Sequence, residues 1–370
     1  MRIALVIPSM SSGGAERVMS ILANFWAARG DEVTLITLGS LDLDFYNLDS
    51  RINRVALDVL CKSSTTLDAI KNNCIRLIKL RKAVHKTRPE VIISFMDSMS
   101  VVTLLSTIGM SIPVVVSEHI DPRQKPPPGI WNFLRRWTYS LTSAVVVLTS
   151  ELREVVNEFV PEKKLHVIPN PAIPVPKASD LKPPFILPSH FVIAMGRLTP
   201  QKGFDFLLDA FALCTHTSWS LVILGEGPDR EGLETQIKQL NLGSRVFLPG
   251  NISEPAVILR KSGLFVLSSR FEGFPMALVE AMSCGLPVVS FDCPTGPGDI
   301  IRDGYDGVLV PPGDVGALMK EMDRMMGDKE ERKKLAGCAK EVIDRFSIEK
   351  IIGKWDDLLN KVTMQKNIIK

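Results

Sequence analysis

The chain has 370 residues, room for two or three domains of ordinary size, and its 45% hydrophobic and 23% charged residues are the balance of a globular protein. A formal net charge of +3 is too small to point to nucleic acid, so no nucleic-acid partner is expected and any charged partner must be met by a local patch. Six cysteines at positions 61, 74, 214, 284, 293 and 338 form no C-x-x-C pair and have no histidine cluster beside them; this argues against a zinc or redox motif and fits a reducing compartment.

The opening stretch MRIALVIPSMSSGGAER has an apolar run too short for a signal-peptide core, and Gly13-Gly14 ends it. No run of about 18 or more apolar residues follows, so no spanning helix is expected. Strand patterns fall at 3–8, 32–37, 91–95, 113–117, 144–148 and 166–168, most of them continuous Val/Ile/Leu runs that suit burial on both faces. Helical patterns lie between them near 15–29, 66–87, 99–109, 130–141 and 151–159. The alternation predicts a parallel, doubly wound sheet.

The composition then changes. Residues 168–189, IPNPAIPVPKASDLKPPFILPS, are too rich in proline for a regular element. A second series follows, with strands near 192–195, 220–224, 246–248, 264–267, 287–291 and 307–310, and closing helices near 314–327, 329–345 and 348–362. The prediction is an α/β chain of two Rossmann-like domains, 1–170 and 190–347, with a linker at 171–189 and a terminal helical segment at 348–370. The two sheets are expected to face each other across a cleft, since open parallel sheets bind ligands beyond the carboxyl ends of their strands.

Several motifs lie at those strand ends. After the first strand, Gly13-Gly14 allows a sharp turn into a helix whose N-terminus can hold an anion, though an ordinary strand-to-helix turn has the same spacing. It is not G-x-G-x-x-G, and the second strand, EVTLITLGS, lacks a terminal acid for a ribose, which argues against a dehydrogenase. IPVVVSEHIDP carries His119 to the carboxyl end of a buried strand, a position open to either a structural or a catalytic role. In GRLTPQKGFDFLLDAF, Arg197 and Lys202 precede a helix start, suiting a diphosphate if they are not simply solvated cations. RVFLPGN places the backbone of Leu248 at a strand end, fit to read a base edge.

The densest stretch is RFEGFPMALVEAMSCGLPVV, residues 270–289. Pro275 fits the first position of a helix and Gly285 its stop, which predicts a helix over 276–284. Glu272 stands on the loop before it, and Glu280 just over one turn in, among apolar residues where an unpaired carboxylate is costly. Carboxylates accept from sugar and ribose hydroxyls, and a helix N-terminus hosts phosphate, so Glu272, Gly273, Phe274, Pro275, Met276, Ala277 and Glu280 together suit a nucleotide-sugar.

These motifs, in this order, resemble the retaining glycosyltransferases of family 4, which have the GT-B fold, and the likeness covers essentially the whole chain. The resemblance implies an NDP-sugar donor held mostly by the C-terminal domain, no required metal or other cofactor, and a final helix, from residue 348 onward, that crosses back to the first domain. It assigns Arg197 and Lys202 to the diphosphate, Glu280 to the ribose hydroxyls, and Glu272 to the donor sugar's hydroxyls. It also sets Gly14 near the phosphates and donor sugar, and His119 near the reacting sugar. The implied mechanism is front-face displacement with retention, in which the departing phosphate oxygen takes the acceptor's proton and His119, Glu272, Arg197 and Lys202 are the catalytic set.

For the acceptor, residues 71–88 carry seven Lys/Arg and no acid, with Ile75, Leu77, Ile78, Leu80 and Val84 as an apolar face. A basic amphipathic helix reads as membrane-surface binding. Residues 123–137, RQKPPPGIWNFLRRW, add aromatic and basic residues. Lys79, Arg81, Lys82, Trp131, Arg135 and Arg136 are therefore expected at an acceptor or membrane surface; the alternative is that the aromatics pack in the core. The whole resembles bacterial enzymes that extend undecaprenyl-diphosphate-linked oligosaccharides, including N-acetylgalactosamine transferases and exopolysaccharide transferases. That implies a UDP-sugar donor, N-acetylgalactosamine foremost, and a cytoplasmic protein peripheral to the inner face of the membrane. A GT-B transferase with another donor and a soluble acceptor, and a non-catalytic nucleotide-sugar-binding protein, remain the alternative readings.

Overall fold

The computed structural model describes residues 1–61, 64–124, 126, 129–174 and 183–368. They form two compact units, Met1–Pro169 with Glu349–Lys370, and Asn170–Ile348. Residues 175–182 of the expected linker lie outside the described residues. Its first part is tied into the second unit, where the Ala172 amide donates to the Phe346 carbonyl at 2.7 Å.

The first unit is built on seven strands among the described residues: β1 (Arg2–Ile7), β2 (Glu32–Thr37), β3 (Asn53–Ala56), β4 (Val91–Phe95), β5 (Val114–Glu118), β6 (Ala144–Val147) and β7 (Leu165–Val167). Their order is β3-β2-β1-β4-β5-β6-β7 and every pairing is parallel. The second unit has β8 (Phe191–Met195), β9 (Ser220–Leu224), β10 (Val246–Gly250), β11 (Leu264–Leu267), β12 (Val288–Phe291) and β13 (Val308–Val310), parallel in the order β10-β9-β8-β11-β12-β13. Strand order reverses beside β1 in one sheet and beside β8 in the other, which makes these edges the switch points where ligands bind in such folds.

The sequence pattern missed β3. It lies at the sheet edge, and its polar residues Asn53 and Arg54 break the apolar run; Arg54 is held by Asp44 at 2.7 Å. Central strands are mostly apolar because helices cover both faces, and residues such as Leu5, Val6, Val192 and Ile193 are fully buried. Helices Thr66–Thr87, Asp97–Ser106 and Gly129–Thr138 share one core of the first unit, into which they bury Leu80, Val84, Met99 and Val102. The expected helix over 329–345 is two pieces, Lys329–Ala339 and Glu341–Arg345.

Helix Ile348–Ile368 closes the chain against the first unit. Trp355 meets the Trp26 ring edge-on at 6.4 Å between centroids and stacks on Phe95 at 6.4 Å. Asp356 accepts from the Trp26 indole at 3.2 Å and pairs with Arg29. Among the described residues no helix is long and apolar enough to cross a membrane.

Candidate functional site

In the second unit the candidate residues collect at the carboxyl edge of β8 and β11, which are neighbours in the sheet. The turn after β8 places Gly196, Arg197 and Lys202. It packs so closely on the turn after β9 that a Cβ on Gly225, at φ +141°, would stand 1.9 Å from the Gly196 carbonyl oxygen. Main-chain bonds stitch the two turns together, Gly196 N–H to Leu224 at 3.0 Å and Leu198 N–H to Glu226 at 3.0 Å. A backbone held this tightly fixes where Arg197 leaves the chain. Arg197 is exposed, and its guanidinium has no carboxylate partner among the described residues.

Lys202 behaves differently. Its ammonium lies 2.6 Å from Oε1 of Glu272, which is buried at 5% exposure. The hydroxyl of Ser269 donates to the same carboxylate oxygen at 2.5 Å. The Glu272 carbonyl accepts from the hydroxyl of Thr295, and Gln201 donates to the Phe271 carbonyl at 3.1 Å. The two residues assigned separately to diphosphate and sugar thus form one ion-paired unit, clamped by backbone on both sides.

Helix Met276–Ser283 starts where the sequence reading placed it and ends one residue earlier, and Pro275 is its cap, with φ −69° and ψ 101°, rather than its first helical residue. The Pro275 carbonyl takes the amides of Leu278 and Val279 at 3.1 and 3.2 Å, and no side chain caps this end. The amides of Met276 and Ala277 are therefore left to face an anion, with the helix dipole behind them. Gly273, Phe274 and Pro275 are buried beside them, and the buried Asn170 donates to the Phe274 carbonyl at 3.4 Å. Glu280, on the same helix, is half-buried and engaged. Gly285, at φ +77°, ends the helix: its amide donates to Met282 at 2.8 Å, and that of Leu286 to Ala281 at 3.1 Å.

Leu248 lies apart from this cluster, on the edge strand β10. Its carbonyl accepts from both terminal nitrogens of Arg230 at 3.3 Å. Sequence reasoning missed Ser269, Gln201 and Thr295. Gln201 and Thr295 act through contacts to residues far along the chain, and Ser269 through a turn that brings its hydroxyl onto the Glu272 carboxylate three residues on, and no spacing rule exposes either.

In the first unit, Gly14 opens helix Gly14–Arg29 with the extended Gly13 as its cap. The carboxylate of the buried Glu16 folds back over Gly13, so close that a Cβ there would stand 2.2 Å from Oε2. The acid in the first turn complements the positive helix end that the sequence reading reserved for a phosphate. His119 follows β5, with its ring 4.3 Å from the Phe95 ring. Burial pushes its imidazole down to about 3, so it is neutral at pH 7, and its Nε2 is buried without a hydrogen-bond partner.

The basic and aromatic residues do not share one surface. Arg135 is 3% exposed, set against the buried Glu118 at 4.0 Å, with its guanidinium 4.6 Å from the Phe159 ring centre. Tyr139 donates to the same Glu118 carboxylate, and burial is the main cause that raises the Glu118 pKa. Arg135 is therefore a core residue and cannot reach a membrane. Trp131 is half-buried and packs on the core, which again removes it from the surface set. Lys79 and Arg81 are exposed but committed, Lys79 to the Leu57 carbonyl at 3.0 Å and Arg81 to those of Ser106 and Ile108 at 2.9 and 2.8 Å. Lys82 and Arg136 stand in solvent. Among the described residues no group of three or more His, Cys, Asp or Glu is placed to hold a metal.

The two halves of the chain match two family models. Residues 12–173 match Glycosyltransferase Family 4, and residues 181–342 match Glycosyl transferases group 1. A Campylobacter jejuni protein, the GalNAc-alpha-(1->4)-GalNAc-alpha-(1->3)-diNAcBac-PP-undecaprenol alpha-1,4-N-acetyl-D-galactosaminyltransferase, is 29% identical over 98% of this chain and 99% of its own length. The amylovoran biosynthesis glycosyltransferase AmsD of Erwinia amylovora is 29% identical over 97% of this chain and 99% of its own. A structure of a S. aureus TarM mutant with UDP superposes with a TM-score of 0.81 at 15% identity, covering 97% of this chain and all of that one. The parallel-sheet units and the two matches, which between them span nearly all of the chain, show that it belongs to the glycosyltransferases of GT-B fold.

Proposed function

We propose that this enzyme transfers an N-acetylhexosamine or hexose, N-acetylgalactosamine foremost, from a UDP-sugar to an oligosaccharide carried on a polyprenyl diphosphate, with retention at the anomeric carbon. The observation that carries the donor half is the cluster of Arg197, the Lys202–Glu272 pair and the open helix start at Met276 and Ala277, all at one sheet edge. In this proposal a diphosphate takes Lys202 from Glu272, lies along the two free amides, and meets the unpaired guanidinium of Arg197. As the sugar–phosphate bond breaks, charge grows on the leaving oxygen, and these fixed positive groups stabilise it without reorganising. The released Glu272 carboxylate then accepts from hydroxyls of the donor sugar, and Glu280 from those of the ribose.

The departing phosphate oxygen takes the proton of the acceptor hydroxyl, which leaves no general base for a side chain to supply. His119, neutral at pH 7, serves as a hydrogen-bonding group toward the transferred sugar, and Gly14 belongs to the loop that admits the phosphates. Because the two cations neutralise the leaving group, we propose that no metal is required. The acceptor class comes from the similarity to the C. jejuni enzyme along nearly the full length of both chains. An acceptor of that kind sits in a membrane, so the protein is proposed to work at the inner face of the cytoplasmic membrane.

The test is a thermal-shift screen against UDP, GDP, ADP and their sugar conjugates, followed by transfer of labelled sugar to a polyprenyl-diphosphate oligosaccharide with and without EDTA. The expected result is a rise in melting temperature with UDP-sugars, EDTA-insensitive transfer, and an α-linked product by NMR. A shift with GDP or ADP alone, loss of transfer in EDTA, or a β-linked product would overturn the corresponding part.

A further inference from the structure

The imidazole of His119 is held by packing rather than by a polar partner. Its Nε2 is buried without a hydrogen bond, and burial is the only influence on its titration, so no carboxylate pulls on the ring. The adjacent Glu118 cannot serve, because successive residues of a strand point to opposite faces. Glu118 follows Val114 and Val116 onto the side covered by helix Gly129–Thr138, where Tyr139 and Arg135 engage it. Phe95 and Ser117 are register partners across β4 and β5 and share the other side. His119 comes onto that side too, its ring 4.3 Å from that of Phe95 with the planes inclined by 42°.

The far side of the Phe95 ring is backed from the end of the chain. Trp355, on helix Ile348–Ile368, stacks on it at 6.4 Å with the planes 26° apart, and Trp26 closes edge-on over Trp355 at 89°. Phe95, Trp26 and Trp355 are all buried. Docking of the helix does not by itself call for an aromatic residue at 355. Ile351, Ile352, Leu358 and Leu359 are buried along the same helix, and Asp356 ties it down through the Trp26 indole at 3.2 Å and Arg29 at 3.1 Å. A branched aliphatic side chain would fill the space, but only a flat ring presents a face that fixes the plane of Phe95, and through it that of the imidazole. Groups that act on a substrate need their rotamers locked in this way by the residues packed behind them.

We infer that Phe95 and Trp355 are positioning residues for His119: their stacked rings set the plane of the imidazole, so the last helix of the chain helps to orient the group that meets the transferred sugar. This rests on the role proposed above for His119.

The experiment compares the full chain with Trp355→Leu, Trp355→Phe and Phe95→Leu. Asp356→Asn is the control: it breaks the ion pair with Arg29, while its amide oxygen still accepts from Trp26. The readouts are the melting temperature, the kinetics of labelled-sugar transfer from UDP-N-acetylgalactosamine, and the nuclear Overhauser effect between the His119 and Phe95 rings, measured without donor or acceptor. Trp355→Leu is expected to weaken that effect and to lower kcat on the order of 100-fold, the scale of a misplacement near 1 Å. KM for the donor should change little, since the groups assigned to the diphosphate are untouched. Trp355→Phe, which restores a flat ring, should recover most of both losses. Phe95→Leu should lose similar kcat, and it carries the kinetic test if Trp355→Leu does not fold. Asp356→Asn should melt earlier yet keep the ring contact and kcat.

A full ring contact in Trp355→Leu would overturn the inference. So would kcat falling as far in Asp356→Asn as in Trp355→Leu, or leucine variants that turn over like wild type while His119→Gln is impaired. Because the ring contact is read without substrate, its loss in Trp355→Leu combined with wild-type turnover by His119→Gln would leave the positioning stack standing and count only against the sugar role of His119.

Discussion

Lys202 Nζ and Glu272 Oε1 stand 2.6 Å apart, whereas Arg197, from the same turn, is exposed and has no carboxylate partner among the described residues. The two cations assigned to one diphosphate therefore stand in different energetic situations, and their substitutions should separate.

Arg197→Ala is expected to lower kcat by roughly 100-fold, on the scale of a lost transition-state donor, with stability changed by no more than about 0.5 kcal/mol, as for other exposed sites. Lys202→Ala should lose comparable rate and also destabilise the fold by about 3 kcal/mol, because it strips the buried Glu272 carboxylate of its countercharge. Steady-state kinetics and thermal melts on both variants check the contrast; equal melting temperatures would refute the structural role of the pair.

Gly225→Ala should be severely destabilising, by more than about 3 kcal/mol, since the new methyl would meet a backbone oxygen at 1.9 Å at a φ of +141°. Gly243→Ala is the control, because nothing lies within 4 Å of its built Cβ. Urea unfolding of the two variants should leave Gly243→Ala near wild type.

Arg135→Met alone should cost about 3 kcal/mol by stranding the buried Glu118 carboxylate, and adding Glu118→Gln should recover much of it. The double variant keeps an acceptor for the Tyr139 hydroxyl. If Arg135→Met melts like wild type, the buried pair contributes little.

His119 sets a pH dependence. Burial lowers its pKa to about 3, against an ordinary unfolded value near 6.5. Below pH 6.5 the unfolded chain takes up a proton that the folded chain refuses, so this contribution is complete above pH 6.5 and is lost as pH falls toward 3. Denaturant melts from pH 7 to 5 should show stability falling with pH, and His119→Gln should flatten that slope. An unchanged slope would mean that His119 is hydrated in the native state.

Much of the fold and part of the site were legible in the residues. The Val/Ile/Leu runs of β1, β4, β5 and β6 could be read as parallel strands because helices cover both of their faces, which removes polar alternation. Edge strand β3 was not legible, since one polar side suffices there and Arg54 finds its partner, Asp44, in three dimensions. The start of helix Met276–Ser283 was read at its own residue and its end within one, because proline and glycine act on their own backbone.

The sequence by itself determined the α/β alternation, the turns at the strand ends, and the clustering of Arg197, Lys202, Glu272 and Glu280 near the second sheet's carboxyl edge, all of which follow from local backbone preference and period. Only the tertiary structure decided that Lys202 is paired with Glu272, that the Leu248 carbonyl accepts from Arg230, and that Arg135 is a core residue while Phe133 and Trp137 face outward. A helix pattern shows which residues share a side but not which side the sheet covers. On helix Gly129–Thr138 that choice was made by the buried Glu118 carboxylate, which draws Arg135 inward and leaves the aromatics to solvent.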